Sequence, residues 1–126
     1  MIEETRYCHA SPVSDLRSFL PEPLPEDAEL LADVRERRLV FGHTHLPFAR
    51  AAEGPHGSVE LVNPGSVGMP LDGDHRAAYA VLHEDGRIEH RRVAYDHTAS
   101  AAALRERFGE AEWVSIIAGR LERAAF

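Results

Sequence analysis

The chain has 126 residues, of which 44% are hydrophobic and 28% are charged, a composition typical of a soluble globular protein. A chain of this length predicts one domain at most. Its formal net charge is −7 at pH 7, which argues against nonspecific nucleic-acid binding, because such binding requires a basic surface.

The sequence predicts a cytoplasmic protein without a membrane anchor. Cys8 is the single cysteine, which excludes a disulfide within the chain and fits a reducing compartment. The first residues are acidic and no apolar segment of a signal peptide follows them. No apolar run approaches the length of a membrane span.

The first predicted elements are a strand over residues 3–8, which leads into His9, and a helix over residues 26–37. The helix is predicted because apolar residues recur on one face at helical spacing. Acidic residues fill its first turn and arginines gather at its end, which complements the helix dipole. Ala28, Leu31 and Val34 lie on this face, with Leu30 beside them.

A second strand is predicted over residues 39–41, an apolar run typical of a parallel strand covered on both faces. Gly42-His43-Thr44-His45 follows it directly. A strand, a helix and a second strand form the usual crossover between parallel strands, whose carboxyl ends meet at one edge of the sheet. This topology alone places His9 beside His43 and His45.

The next segment predicts a loop, a strand and a turn. Residues 49–58 are rich in glycine and proline and predict a loop in which His56 is solvated. Residues 59–62 predict a strand. The strand ends in Asn63-Pro64-Gly65-Ser66, whose residue types strongly favour a turn.

The last third of the chain predicts a hairpin followed by two helices. Asp85-Gly86 is a hairpin turn signal. Asp96 or Thr98 is suited to cap the first helix and Gly109 to end it. The second helix is expected to bury Trp113 in the core. The hairpin strands are expected over residues 77–83 and 87–95, and the helices from the cap to residue 108 and from about 110 to 123.

Residues 40–68 resemble the last signature of the calcineurin-like metallophosphoesterases, and specifically of their small bacterial and archaeal branch. In that family a strand ends in Gly-His-x-His, here Gly42-His43-Thr44-His45. After a variable loop comes Asn-Pro-Gly-Ser, here Asn63-Pro64-Gly65-Ser66. An earlier strand of the family carries a histidine, often followed by Gly-Ser-Pro, and His9-Ala10-Ser11-Pro12 matches it with alanine in place of glycine.

The resemblance implies an α/β fold that forms part of the family's layered α–β–β–α sandwich. It also implies two divalent ions, such as Mn²⁺, Fe²⁺, Zn²⁺ or Ni²⁺, which bind the phosphate of a mono- or diester substrate. By the resemblance, His9 and His43 bind one ion and His45 binds the other. The Asn-Pro-Gly-Ser turn is expected to form the rim of the substrate pocket, with Asn63, Gly65 and Ser66.

In the family, the remaining ligands come from Asp-x-His, Gly-Asp and Gly-Asn-His motifs that precede these histidines. The aspartate of Gly-Asp bridges the two ions, and the histidine of Gly-Asn-His is the acid that assists the leaving oxygen. Asn63 is the only asparagine here, no aspartate has a histidine two residues later, and Gly73-Asp74 lies after the histidine pair. Residues 1–126 are therefore expected to form one partial domain that matches the C-terminal half of the family domain. The alternatives are a fragment, a truncated reading frame or a short protein with its own function.

Three functions remain open at this point. The first is a metal-dependent phosphoesterase of which this chain carries the histidine half, inactive alone. The second is an interaction scaffold of the same fold, as in the small retromer subunit, a branch of the superfamily that this chain resembles and that serves as a protein-binding platform. The third is a single-metal site with His9, His43 and His45 as ligands. An incomplete sandwich is also expected to leave residues 39–41 partly uncovered and a sheet edge open for self-association.

Overall fold

The computed structural model describes residues 4–126, so the first residue of the predicted strand 3–8 lies outside the described part. The strands are β1 (Thr5–Tyr7), β2 (Arg38–Val40), β3 (Phe48–Gly54), β4 (Gly57–Asn63), β5 (Ala77–Leu82) and β6 (Ile88–Val93). The helices are α1 (Asp27–Leu30), α2 (His97–Phe108) and α3 (Glu112–Arg123). None of these helices combines the length and apolarity needed to cross a membrane.

The strands form two sheets. In the first, the order is β1-β2-β4-β3, with β1, β2 and β4 parallel and β3 antiparallel to β4. The second sheet consists of β5 and β6, which pair antiparallel as the hairpin prediction required. The predicted parallel pairing of the first two strands is thus confirmed, and their carboxyl ends share one edge.

The first sheet buries its two faces against different layers. Leu39 and Leu61 are neighbours in the register of β2 and β4, and both are fully buried in the main core. Val40 and Val62 point to the opposite face, because successive strand residues alternate, and with β5 and β6 they line a cavity of about 230 Å³. The main core comprises Phe19, Leu30, Leu31, Val34, Leu39, Phe41, Ala52, Val59 and Leu61.

The predicted helix 26–37 is wrong in its extent, since α1 covers four residues, Asp27–Leu30. Beyond it the chain makes tighter turns, with Val34 N–H donating to the Leu31 carbonyl at 3.0 Å. These turns bury Leu31 and Val34 together with Leu30. Tertiary packing therefore overrides the helical periodicity, which is a weak determinant in so short a segment.

The predicted loop 49–58 is also wrong, because most of it forms β3 and the start of β4. The two strands pair along their whole length and meet where Gly54 faces Gly57. Gly57 has φ +123°, a conformation that permits the tight connection and that residues with a Cβ rarely adopt. His56 lies at this turn and is exposed, as predicted.

The two C-terminal helices agree with the prediction in position and differ in their buried face. The Asp96 carboxylate caps α2 by accepting a hydrogen bond from the Ala99 N–H at 2.9 Å. Trp113 was expected in the core, but it is 51% exposed and packs against the ring of Phe108. Helix α3 instead buries Val114, Ala118 and Gly119, because small side chains let neighbouring helices approach closely.

One sheet edge was expected to be open, and the first sheet has two edge strands, β1 and β3. Leu39 and Phe41 are buried and Val40 between them is partly exposed, so the expected incomplete cover of this segment is confined to Val40. Among the described residues, β1 pairs with β2 alone, and Tyr7 on β1 is 56% exposed. The backbone groups on the outer side of β1 therefore lack strand partners within residues 4–126.

Candidate metal centre at the strand ends

His9, His43 and His45 all follow the carboxyl ends of parallel strands. His9 lies two residues after β1, and the other two lie shortly after β2. The strand ends are fixed to one another by the Gly42 N–H, which donates to the His9 carbonyl at 2.7 Å. Ligand sites of α/β sheets occur in this position.

The imidazoles of His9 and His43 converge. His9 Nε2 and His43 Nδ1 are 3.2 Å apart, and the rings meet edge to face with centroids 5.1 Å apart. At metal–nitrogen distances of 2.0–2.1 Å, two nitrogens bound to one ion at octahedral or tetrahedral angles lie about 2.8–3.4 Å apart. The pair therefore fits a shared divalent ion, and without one the same distance is a hydrogen bond.

The ring of His45 is held in one orientation by a hydrogen bond. Its Nδ1 donates a hydrogen bond to the Met69 carbonyl at 2.8 Å. The neutral ring then carries its lone pair on Nε2, since a carbonyl oxygen only accepts. Fixing one ring nitrogen in this way is the usual support of a metal-binding histidine.

Among residues 4–126, no group of three histidine, cysteine or carboxylate side chains is close enough to hold one ion. Two of the predicted ligands, His9 and His43, are together, and His45 lies apart on the same cavity. This arrangement does not supply the single-metal site with three histidine ligands. Burial raises the pKa of the thiol of Cys8, next to His9, while Arg6 opposes this more weakly.

The histidine loop adopts a strained backbone. His43 and His45 have φ of 70° and 59°, in the left-handed region that costs a non-glycine residue about 1–2 kcal/mol. Such strain persists at functional sites where surrounding contacts impose it. Asn63 provides these contacts: its Nδ2 donates to the Gly42 carbonyl at 3.1 Å and to Thr44 Oγ1 at 3.0 Å.

The Asn-Pro-Gly-Ser turn supports the site from beneath. Asn63 is fully buried, and its Oδ1 accepts from the Gly65 N–H at 2.9 Å. Ser66 Oγ accepts from the Met69 N–H at 3.0 Å, which holds the residue whose carbonyl orients His45. Their expected position at the rim of the substrate pocket stays a prediction; in this structure they lie behind the cavity at the histidines and do not line it.

Gly65 is required by its surroundings. Its φ is +87°, and a Cβ there would lie 2.7 Å from the Ala78 side chain and 3.1 Å from that of Pro47. Real Cβ atoms essentially never approach another atom as closely as 2.7 Å. The turn can therefore pass between β5 and the segment after the histidines only with glycine at this position.

The three histidines line one open cavity of about 490 Å³. Its remaining wall is mostly apolar, with Leu20, Leu46 and Leu71 among the lining residues. Arg120 of α3 and Phe126 also line it. Sequence reasoning missed the last two, because nothing in the local pattern of a C-terminal helix connects it to a histidine loop 75 residues earlier.

The edge of the sheet in this α/β protein therefore carries two converging histidines, a strained histidine loop and a supporting turn. The calcineurin-like phosphoesterase superfamily domain matches residues 18–87, which is more than half of the chain, and the chain belongs to this superfamily. The matched segment contains His43, His45 and the Asn-Pro-Gly-Ser turn. His9 precedes it.

Individual proteins are also similar to this chain in sequence or structure. Uncharacterized protein MJ0912 of Methanocaldococcus jannaschii is 42% identical over 71 residues, which cover 46% of this chain and 29% of that protein. A crystal structure of a metallophosphoesterase from Sphaerobacter thermophilus superposes with a TM-score of 0.72 at 25% identity, covering 97% of this chain and 55% of that one. The hypothetical protein PH1004 of Pyrococcus horikoshii OT3 shares the fold, with a TM-score of 0.63, 19% identity and coverage of 90% and 45%.

The expected fold class, an α/β protein similar to part of the metallophosphoesterase sandwich, is confirmed by these superpositions. The chain spans about half the length of the two solved structures and a smaller share of the curated relative.

Proposed function

We propose that this chain contributes the histidine half of a dinuclear metal centre in an enzyme that hydrolyses phosphate mono- or diesters. The observation that carries the proposal is the 3.2 Å approach of His9 Nε2 to His43 Nδ1 at the carboxyl ends of parallel strands. His9 and His43 are assigned to one ion. His45, with its lone pair on Nε2, is assigned to the other.

The ions expected are Mn²⁺, Fe²⁺, Zn²⁺ or Ni²⁺, because imidazole nitrogens suit these metals. When bound, such a metal pair polarises the phosphoryl oxygens and lowers the pKa of a bound water. The contribution of this chain is to hold and orient the histidines: Asn63 fixes the loop of His43, and the Met69 carbonyl fixes the ring of His45.

The histidines alone leave each ion with few ligands, and the family's bridging aspartate and acid histidine have no counterpart in this sequence. We infer that a separate segment of polypeptide provides the Asp-x-His, Gly-Asp and Gly-Asn-His motifs. In this interpretation residues 1–126 form the C-terminal part of one metallophosphoesterase domain. The cytoplasmic location stays a prediction.

Metal titration tests the assignment. Binding of Zn²⁺ and Ni²⁺ is measured by calorimetry for the parent chain and for the His43→Ala and His45→Ala variants. Each variant is expected to bind at least about tenfold more weakly, and His56→Ala, at an exposed turn, is expected to bind as the parent does. Equal binding by all four proteins would refute the assignment.

An interaction scaffold of the same fold is the second candidate, because the outer side of β1 lacks a strand partner among residues 4–126 and Tyr7 is exposed there. Reading the genomic DNA upstream discriminates the two. An in-frame stretch encoding the three carboxylate and amide motifs favours the enzyme. A chain expressed without them, and bound to a protein partner through β1, favours the scaffold.

A further inference from the structure

The cavity at the histidines receives one cationic side chain from a distant element. Arg120 lies in the last turn of α3, far along the chain from the histidine loop, and lines the cavity together with His9, His43 and His45. Its guanidinium carbon stands 5.2 Å from the centroid of the Phe126 ring, which lines the same cavity. A cation–π contact of this kind holds a guanidinium in place and leaves its N–H donors available.

Arg120 differs from the arginines that serve the fold. Arg105 forms a bidentate ion pair with Glu122, and Arg92 pairs with Asp72. Within residues 4–126, no carboxylate lies at ion-pair distance from Arg120. An arginine that is half-buried, lines a cavity and lacks an internal anion is suited to bind an anion from outside.

The cavity wall indicates which kind of organic group is attached to that anion. Leu20, Leu46 and Leu71 line it, and the exposed ring of Phe126 adds an aromatic surface. The volume of about 490 Å³ is large for a bare phosphate and falls in the range of small-molecule sites. The combination of a cation and an apolar wall fits an organic phosphate with an apolar or aromatic group.

We propose that Arg120 is a substrate-binding residue that selects phosphate esters with an apolar or aryl organic group. Its guanidinium donates to phosphoryl oxygens turned away from the metal-binding histidines, and the apolar wall contacts the organic group. This inference rests on the proposed function, since the histidines would hold the ions that bind the same phosphoryl group.

The test uses phenylphosphonate, which has no ester bond to hydrolyse, and inorganic phosphate as the ligand without an organic group. Calorimetry with the Zn²⁺-loaded full chain compares the parent with Arg120→Gln, Arg120→Lys and Arg123→Gln. Arg123 is the matched control, because it lies in the same last turn but folds over Gly119 instead of lining the cavity. Zn²⁺ affinity and thermal unfolding of each variant report whether the fold and the histidines are intact.

We expect Arg120→Gln to bind phenylphosphonate about 10- to 100-fold more weakly, as for loss of a hydrogen bond to a charged group. Arg120→Lys is expected to recover part of this loss, since it restores charge without the planar fork. Arg123→Gln should stay within threefold of the parent, and the parent should bind phenylphosphonate more tightly than phosphate. A charge-dependent rescue is not expected of a merely structural residue.

Two failures are distinguishable. A parent chain that does not bind Zn²⁺, Mn²⁺ or Ni²⁺ overturns the proposed function and this inference with it. A parent chain that binds metal overturns the inference alone in either of two cases: Arg120→Gln and Arg123→Gln affect phenylphosphonate equally, or phosphate binds as tightly as phenylphosphonate.

Discussion

The carbonyl oxygen of Met69 accepts a hydrogen bond from Nδ1 of His45 at 2.8 Å, across 24 residues of sequence. Met69 is itself fixed by its N–H, which donates to Ser66 Oγ at 3.0 Å. The serine of the Asn-Pro-Gly-Ser turn therefore acts on the histidine loop through one intermediate residue. The two motifs are thus linked through Met69 although Ser66 does not line the cavity.

Ser66→Ala is expected to weaken metal binding, although Ser66 is not itself one of the proposed metal-binding residues. Loss of the Oγ acceptor frees the Met69 N–H, so the carbonyl that orients His45 is held less firmly. Removal of such an outer support typically costs about 10–100-fold in metal affinity. Zn²⁺ titration measures it, with Ser115→Ala on the exposed side of α3 as control. An affinity equal to that of the control would show that Ser66 does not support His45.

Asn63→Ala is expected to destabilise the whole domain. Asn63 is fully buried and its side chain makes three hydrogen bonds, to Gly42, Thr44 and Gly65. Leaving buried partners unsatisfied costs about 1–3 kcal/mol for each group, and part of this is recovered by relaxation. We expect the free energy of unfolding to fall by about 2–4 kcal/mol, measured by urea denaturation. A loss below about 0.5 kcal/mol, the usual range for surface positions, would contradict this role.

The sequence predicted the parallel strand pair and the meeting of His9 with His43, because a crossover places the carboxyl ends of its strands at one edge. It also predicted the β5–β6 hairpin and the cap of α2, which depend on local turn and capping chemistry. The hairpin turn and the helix cap each depend on residues that are neighbours in the sequence, so the sequence pattern was sufficient to predict them.

The errors lie where tertiary contacts decide. The predicted helix 26–37 shrinks to Asp27–Leu30 because turns bury its apolar residues. Trp113 stays half-exposed because α3 packs through Ala118 and Gly119 instead. The presence of Arg120 in the cavity depends on how α3 docks onto the rest of the molecule, and no local pattern records that.

The open side of β1 is expected to cause self-association. Its backbone groups have no strand partner within residues 4–126, and unpaired edges recruit other strands. We expect the purified chain to elute larger than a monomer and to bind a hydrophobic dye. Tyr7→Lys should reduce both, because a charge on an edge strand opposes pairing. Leu16→Lys, at an exposed position outside the sheet, serves as control. A parent chain that is monomeric and does not bind the dye would contradict this expectation.

The chain alone is expected to hydrolyse phosphate esters far more slowly than intact metallophosphoesterases. On the proposed assignment one ion has His9 and His43 as protein ligands and the other has His45 alone. A two-metal site holds its ions about 3.5–4 Å apart, and no bridging carboxylate of the family pattern is available in this sequence to do so. Loss of one positioned proton donor typically costs about 10²–10⁴-fold in rate, and loss of the metal pair adds to this.

The assay follows p-nitrophenyl phosphate and bis-p-nitrophenyl phosphate with excess Mn²⁺. It is run for the chain alone and again with the Asp-x-His, Gly-Asp and Gly-Asn-His half of a related domain supplied as a separate polypeptide. Activity should rise when the second polypeptide is added, and His43→Ala should abolish the rise while His56→Ala preserves it. Rapid turnover by the chain alone would contradict the prediction, because it would require the absent ligands to come from elsewhere, such as a second copy associated through β1.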